Sequence, residues 1–353
     1  MNEKLLTLIN KLSTHHSLET QEYKYLIDNY CEEGAQLLKD LANKARTEIY
    51  GKAVYIRGLI EISSYCKNNC HYCGIRAGNR NCERYRLSKE DILLCCDEGY
   101  TLGFRTFVLQ GGEDAYFGDD VLCDIVKSIK EKYPDCAVTL SLGERSFESY
   151  KKLYDAGADR YLLRHETADA QHYAMLHPEN LTLNNRLRCL EDLKAIGYQV
   201  GCGFMVGSPW QTSLHLAKDL KFVEEFSPSM CGIGPFIPHK DTCFKDESAG
   251  SVKLTCYLLS IIRLIKPNIL LPSTTALGSI HPFGREMGIE CGANVVMPNL
   301  SPESVRKKYM LYNNKISDGA EAAQSRKELE RRISSVGFEV VTHRGDIIEN
   351  ILP

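Results

Sequence analysis

Residues 54–62, VYIRGLIEI, followed at once by residues 66–73, CKNNCHYC, decide how the rest of the chain reads. The first run is largely apolar, as in a strand buried on both faces. The second places Cys66, Cys70 and Cys73 on the loop directly after that strand, with spacing C-x3-C-x2-C. Three thiolates this close can wrap one metal centre. A 4Fe–4S cluster normally takes four thiolates, so three local ligands leave one iron open to a small molecule. Three other readings stay open on the residues alone. His71 would complete a four-ligand zinc site, although adjacent Cys70 and His71 are awkward to aim at one ion. Cys82 would be the fourth ligand of a ferredoxin-type cluster. The third is coincidence.

Outward from this loop, short apolar runs alternate with amphipathic segments. Further strands are expected at 106–110, 137–142, 160–164, 199–205, 230–234, 269–273 and 293–297. Helical patterns fall at 89–98, 119–132, 147–155, 184–196, 214–226, 252–265 and 283–290. Ser88 before Asp91 reads as a capping-box start, and Gly99, Gly157 and Gly197 as helix stops. Eight strand–helix units predict an α/β fold, a (β/α)8 TIM-type barrel, with a doubly wound open sheet as the alternative. Polar residues cluster where strands hand over to loops: Gln110, Ser141 and Glu144, Arg164 and Glu166, Thr274 and Thr275, and Asn299. In a barrel these ends share one mouth. Residues 1–50 read as an N-terminal helical extension, 51–300 as the barrel, and 301–353 as a C-terminal helical extension, with a possible short strand at 338–342.

The chain has 353 residues, 43% hydrophobic and 25% charged, and a formal net charge of -3 from 43 basic and 46 acidic side chains. Such a chain buries a full core without disulfides. No basic excess suggests nucleic acid or an anionic membrane as partner. Residues 1–10 carry Glu3 and Lys4 and lack a signal-peptide core, and no apolar stretch is long enough to span a bilayer. A cytoplasmic protein is expected. Its 15 cysteines are odd in number, which excludes a fully paired disulfide framework in a monomer. Cys95, Cys96, Cys123, Cys136, Cys189, Cys202, Cys231 and Cys256 read as small buried hydrophobes.

The cysteine spacing, with Tyr72 before the last thiol, resembles the radical S-adenosylmethionine (radical SAM) superfamily. The resemblance implies a 4Fe–4S cluster on Cys66, Cys70 and Cys73. SAM would chelate its open iron, and reduction would release a 5′-deoxyadenosyl radical. It further implies that Gln110, Gly111, Gly112 and Glu113 receive the methionine amine and that Arg186 binds the methionine carboxylate. Glu166 would serve the ribose or sulfonium, while Met205 and Tyr72 lie on the adenine side.

Longer runs resemble the HydE family of FeFe-hydrogenase maturases: 139–144 (TLSLGE), 161–168 (YLLRHETA), 232–239 (GIGPFIPH), 273–276 (STTA) and 292–299 (GANVVMPN). That resemblance implies action on the iron–carbonyl–cyanide–cysteine product of the maturase HydG, near its sulfur, toward the di-iron precursor delivered to the scaffold HydF. A low-potential flavodoxin or ferredoxin would be the reductant. Ser141, Arg164, Met230, Thr274, Thr275, Tyr309 and Tyr312 match substrate-cavity positions, although Tyr309 and Tyr312 also have the i, i+3 spacing of helix packing. After Cys291 there is no cysteine, so no second cluster on three C-terminal cysteines is expected, which weakens a biotin synthase reading. The alternatives are a methylornithine synthase-like mutase and, from another class, a non-catalytic iron–sulfur or zinc protein.

Overall fold

The computed structural model describes residues 1–349. Three helices come first, Glu3–His15, Thr20–Asp28 and Glu32–Tyr50. Asn2 caps the first by accepting from the Leu5 N–H, and Leu5, Leu8, Ile9 and Leu12 bury one stripe of it. The helical periodicity that spans 20–45 is broken between Asp28 and Glu32, where Cys31 starts the third helix by accepting from the Gly34 N–H. This bundle joins the main core through Tyr257, whose hydroxyl donates to Leu26 O at 2.9 Å.

Eleven strands follow: β1 Ala53–Ile56, β2 Gly58–Ser63, β3 Thr106–Gly111, β4 Ala137–Ser141, β5 Arg160–Leu162, β6 Gln199–Cys202, β7 Met205–Val206, β8 Met230–Cys231, β9 Gly234–Pro235, β10 Val295–Val296 and β11 Glu339–Val341. The order β2-β3-β4-β5-β6-β8 is parallel throughout. Single bridges carry the ladder from Met230 to Leu270 and from Pro272 to Val295. β10 then pairs with β1, which runs on into β2. Eight staves therefore close a (β/α)8 barrel.

Four strand runs break where continuity is expected, and one of them, 230–234, splits at Gly232–Ile233 into β8 and β9, which lie in different sheets. The run 54–62 breaks at Arg57, because β1 pairs with β10 and β11 while β2 pairs with β3. The run 199–205 breaks at Gly203, whose backbone lies against Gly232 O. The run 269–273 forms only bridges, since the Asn294 side chain takes the Leu271 N–H at 2.9 Å in place of a backbone carbonyl.

Helix punctuation is partly as read. Ser88 and Asp91 form the capping box, and Gly197 is a left-handed C-cap. Gly99 is not a stop. It lies inside Lys89–Thr101, where a Cβ would meet Leu300 Cδ1 at 2.6 Å, so its smallness serves packing. Cys123 is half-buried rather than buried, and all 15 cysteines are free. No helix among the described residues is long and apolar enough to cross a membrane.

The C-terminal segment divides in two. Residues 301–325, expected to be helical, hold only the one-turn helix Glu303–Arg306 and two single turns. They cross the barrel mouth as a strap, bonded to loops rather than to themselves: Leu311 O accepts from Gly74 N at 2.8 Å, and Asn313 N donates to Pro238 O at 3.0 Å. Tyr309 and Tyr312 lie on this strap and not on a helix. The helix Arg326–Ser335 and β11 then run to the opposite end, where Arg344 O accepts from Thr106 and Arg160, and Gly345 O from Arg57. These carbonyls close the barrel floor. Residues 350–353 of the expected extension lie outside the described residues.

Candidate active site

The cysteine loop is held open by one arginine. Arg84 donates to the carbonyls of Ser64, Ile75, Arg76 and Asn79, so its planar fork satisfies four otherwise orphaned acceptors along a loop without regular structure. The loop also docks outward, with His71 N on Leu176 O at 3.0 Å. His71 Nδ1 faces Met175 O at 3.2 Å, and so its ring is committed away from the thiols.

Cys66, Cys70 and Cys73 are each partly covered. Burial, then the mutual charge of the thiolates, pushes Cys70 up, and burial pushes Cys73 up to about 12. Three such thiols deprotonate together only against a cation that reverses this cost. No trio of Cys, His, Asp or Glu among the described residues is gathered tightly enough for a single ion. An iron–sulfur cube asks for less, because each thiolate binds its own iron. The donor set therefore fits a cluster better than zinc. Cys82 lies further along the loop and is half-buried.

The loop after β3 is fastened to this loop. Lys67 N donates to Glu113 O at 2.9 Å and Gly112 N to Ser63 O at 3.2 Å. A Cβ on Gly112 would strike Tyr65 O at 2.2 Å and Cys66 Cβ at 2.7 Å, so only glycine brings this backbone so close. Glu113 Oε1 accepts from Glu144 N at 3.0 Å, and its Oε2 has the Lys67 ammonium at 3.2 Å. That ion pair sets an ammonium against the carboxylate beside the cysteine loop.

Arg186 is not the helix-surface arginine that its position on Leu183–Ile196 suggests. It is buried, with Nε on Glu144 Oε1 at 2.6 Å and Nη1 on Arg164 O at 2.6 Å. Glu144, whose Oε2 also accepts from Asn185, thus links the loops after β4 and β5. Glu166 sits at φ 65, in the left-handed region. Its backbone is gripped on both sides, by Gly203 O and by the Met205 N–H, and this pairing sustains the strain. Its Oε2 lies 3.1 Å from Arg164 Nη2 but not along a hydrogen-bond direction. Glu166 Oε2, Arg164 Nε, Arg164 Nη2 and Thr274 Oγ1 are all buried without a hydrogen-bond partner. Such atoms mark space for a polar ligand.

Tyr72 and Met205 come together in one apolar cluster with Leu176, Phe236 and Phe244. The Tyr72 hydroxyl is 3.2 Å from His177 Nε2, while His177 Nδ1 meets Tyr173 O at 2.9 Å. Gln110, Ser141 and Glu61 lie in register at the strand ends. Gln110 Nε2 is 3.5 Å from the buried Tyr309 hydroxyl. Tyr312 is covered enough to push its phenol up, with Glu321 and Glu61 adding to the effect. A Cβ on Gly232 would meet nothing nearer than Cys202 O at 4.0 Å, so the interior is open there.

Two candidates stand apart. Thr275 Oγ1 is taken by Glu321 at 3.2 Å. Met230 opens β8 and packs with Leu162, Leu270 and Val295, its sulfur accepting from Arg57 at 2.8 Å. Glu144, Lys315, Glu61, His177 and Arg84 had no assigned role from sequence. Glu144 closes the run TLSLGE at a strand end, and that was the available signal for it.

A model of the radical SAM superfamily matches residues 60–223. Over 281 residues the chain is 47% identical to the FeFe-hydrogenase maturase subunit HydE of Thermotoga maritima, with 80% of each chain covered. The chain belongs to the radical SAM superfamily, in the HydE family. It is an enzyme, and the family implies a 4Fe–4S cluster and SAM. The 3-methylornithine synthase of Methanosarcina barkeri is 27% identical over 340 residues, covering 94% of this chain and 93% of that one. Among solved structures, methylornithine synthase superposes with a TM-score of 0.81 at 25% identity, covering 95% of this chain and 97% of that one. A structure of HydG gives 0.80 at 21% identity over 96% of this chain and 76% of that one, a likeness of fold.

Proposed function

We propose that this enzyme acts in FeFe-hydrogenase H-cluster maturation, using a SAM-derived radical on an iron–carbonyl–cyanide–cysteine complex made by HydG, near its sulfur. The product would pass to the scaffold HydF as a di-iron precursor. The observation that carries the reading is the 47% identity to a HydE over 80% of both chains. Bound together, the cluster and SAM supply a 5′-deoxyadenosyl radical by one-electron reductive cleavage.

In this reading Cys66, Cys70 and Cys73 hold the enzyme's one cluster and leave an iron for SAM. Gln110, Gly111 and Gly112 bring backbone against the cluster loop, and Glu113 accepts the methionine amine that Lys67 now imitates. Arg186, with Nε and Nη1 already fixed, turns its remaining edge to the methionine carboxylate. Glu166 orients the ribose or sulfonium through its unpartnered Oε2. Tyr72 and Met205 pack the adenine. Deeper in the barrel, Arg164 and Thr274 offer unsatisfied donors to an anionic complex, joined by Ser141, Tyr309 and Tyr312. Thr275 and Met230 act on that cavity only through Glu321 and the barrel floor. The barrel 51–300 carries the reaction, and the two extensions brace and cover it. The strap excludes water, which strengthens each polar contact beneath it.

A second reading, an amino-acid mutase like methylornithine synthase, is favoured by the 0.81 superposition over nearly the whole chain. Anaerobic reconstitution tests what both share. The protein should take up one 4Fe–4S cluster, change its EPR spectrum when SAM is added, and release 5′-deoxyadenosine on reduction. No SAM-dependent change and no 5′-deoxyadenosine would contradict both. Incubation with lysine separates them, since methylornithine formation would overturn the maturase reading.

A further inference from the structure

We infer that a cavity on the outer side of the cysteine loop is the docking face for a small acidic protein that delivers single electrons. The inference rests on the radical SAM reading, which requires one electron from outside per SAM cleaved. The carrier is oxidised by one electron and the cluster reduced by one, with no atom transferred.

The cavity has a volume of about 410 Å³, and its wall includes Gly74, Cys82, His239, Lys240, Lys307 and Asn313. Its position is the first argument. Gly74 follows Cys73 directly, and a Cβ there would strike Met310 O at 2.1 Å and His239 Nε2 at 2.6 Å. The wall is therefore packed without a gap behind the last cluster thiol. Cys82, further along the same loop, also belongs to the wall. This face brings a visitor close to the cluster without entering the barrel mouth, which the strap covers.

Charge is the second argument. Lys240, Lys307 and Arg80 are exposed and enter no ion pair among the described residues. The acids in the cavity wall are Glu83 and Asp241, and both already have partners. Glu83 pairs with Lys308. Asp241 accepts from Asn81 at 2.8 Å and Asn79 at 3.5 Å, with His239 at 4.0 Å. The rim is left cationic on a chain whose net charge is -3. A local patch against the sign of the whole molecule steers an acidic partner to one place.

The test compares two reductants on the reconstituted enzyme carrying Arg80→Glu, Lys240→Glu and Lys307→Glu together. With dithionite, 5′-deoxyadenosine formation should match the wild type. With a photoreduced acidic flavodoxin at low salt it should fall by about tenfold or more, and the deficit should shrink as salt is added. The glutamine counterpart of the triple variant should fall between. Lys127→Glu, an exposed change on Asp119–Lys132, should have no effect with either reductant. Equal rates with flavodoxin for the variant and the wild type would overturn the docking face. So would an equal loss with both reductants. A wild type inactive with dithionite would instead contradict the radical SAM reading.

Discussion

Lys315 Nζ lies 2.6 Å from Glu61 Oε1, with side-chain exposures of 6% and 0%. One residue comes from the strap and the other from β2, so the pair ties the cover of the mouth to the barrel's first stave. Glu61 Oε2 is completed by Asn299 at 2.9 Å. Removing one partner of such a pair strands a buried charge, which costs about 3–5 kcal/mol. Lys315→Met should therefore lower the Tm by several degrees, and adding Glu61→Gln should restore part of the loss. Thermal denaturation of the single and double variants checks this. Additive losses would show that the pair does not act as a unit.

Glu144 fixes Arg186, with Nε 2.6 Å from its Oε1, and in the proposed reading this presents the guanidinium to SAM. Glu144→Gln keeps the shape but loses the charge-assisted bond to Nε, a loss of about 1.5 kcal/mol or more. The KM for SAM should rise about tenfold or more, with a smaller change in kcat. Arg186→Lys should do the same because it lacks the fork. A SAM titration at fixed reductant reads both, and an unchanged KM would remove Arg186 from the SAM site.

Gly143 protects Glu113. At φ +77 a side chain is strained, and its Cβ would lie 2.1 Å from Glu113 Cγ. Gly143→Ala should displace that carboxylate and abolish the SAM-induced change in the EPR spectrum while the cluster still assembles. Gly118→Ala, where nothing lies within 4 Å, should behave as wild type.

Burial holds His177 down to about 3. In the unfolded chain the same ring titrates near pH 6.5. Between these values the unfolded state binds more protons than the folded one, so stability falls as pH drops from about 6.5 toward 3 and is flat above. His177→Gln removes this contribution. The fall in Tm between pH 6.5 and 4 should be smaller for the variant, and parallel profiles would contradict the assignment.

Cys70→Ser should lose the cluster's visible absorption and all 5′-deoxyadenosine formation on reduction. Retained cleavage would remove Cys70 from the ligand set.

What the sequence made readable was what local pattern encodes. Apolar runs marked the staves, the cysteine spacing marked the loop, and Ser88–Asp91 marked a helix start. Long-range partners were hidden. Lys315 and Glu61 are 254 residues apart, and nothing near either announces the other. Arg186 was placed by resemblance alone, and its anchor, Glu144, stands 42 positions earlier. Residues 269–273 read as a strand because they are apolar, yet a side chain from Asn294 replaces the expected ladder. The strap was expected to be part of a helical extension, but its backbone bonds go to Gly74 and Pro238, so tertiary contacts override the local pattern. The same holds for Gly99, whose absent side chain answers Leu300 and not a turn.

The most direct measurement is single-turnover incubation of the reconstituted enzyme with SAM, a low-potential reductant and the HydG product, followed by EPR and mass spectrometry. The maturase reading predicts an adenosyl adduct on the iron complex and its consumption in step with SAM. An iron complex left unchanged while SAM is cleaved, with lysine converted to methylornithine in a parallel reaction, would contradict it.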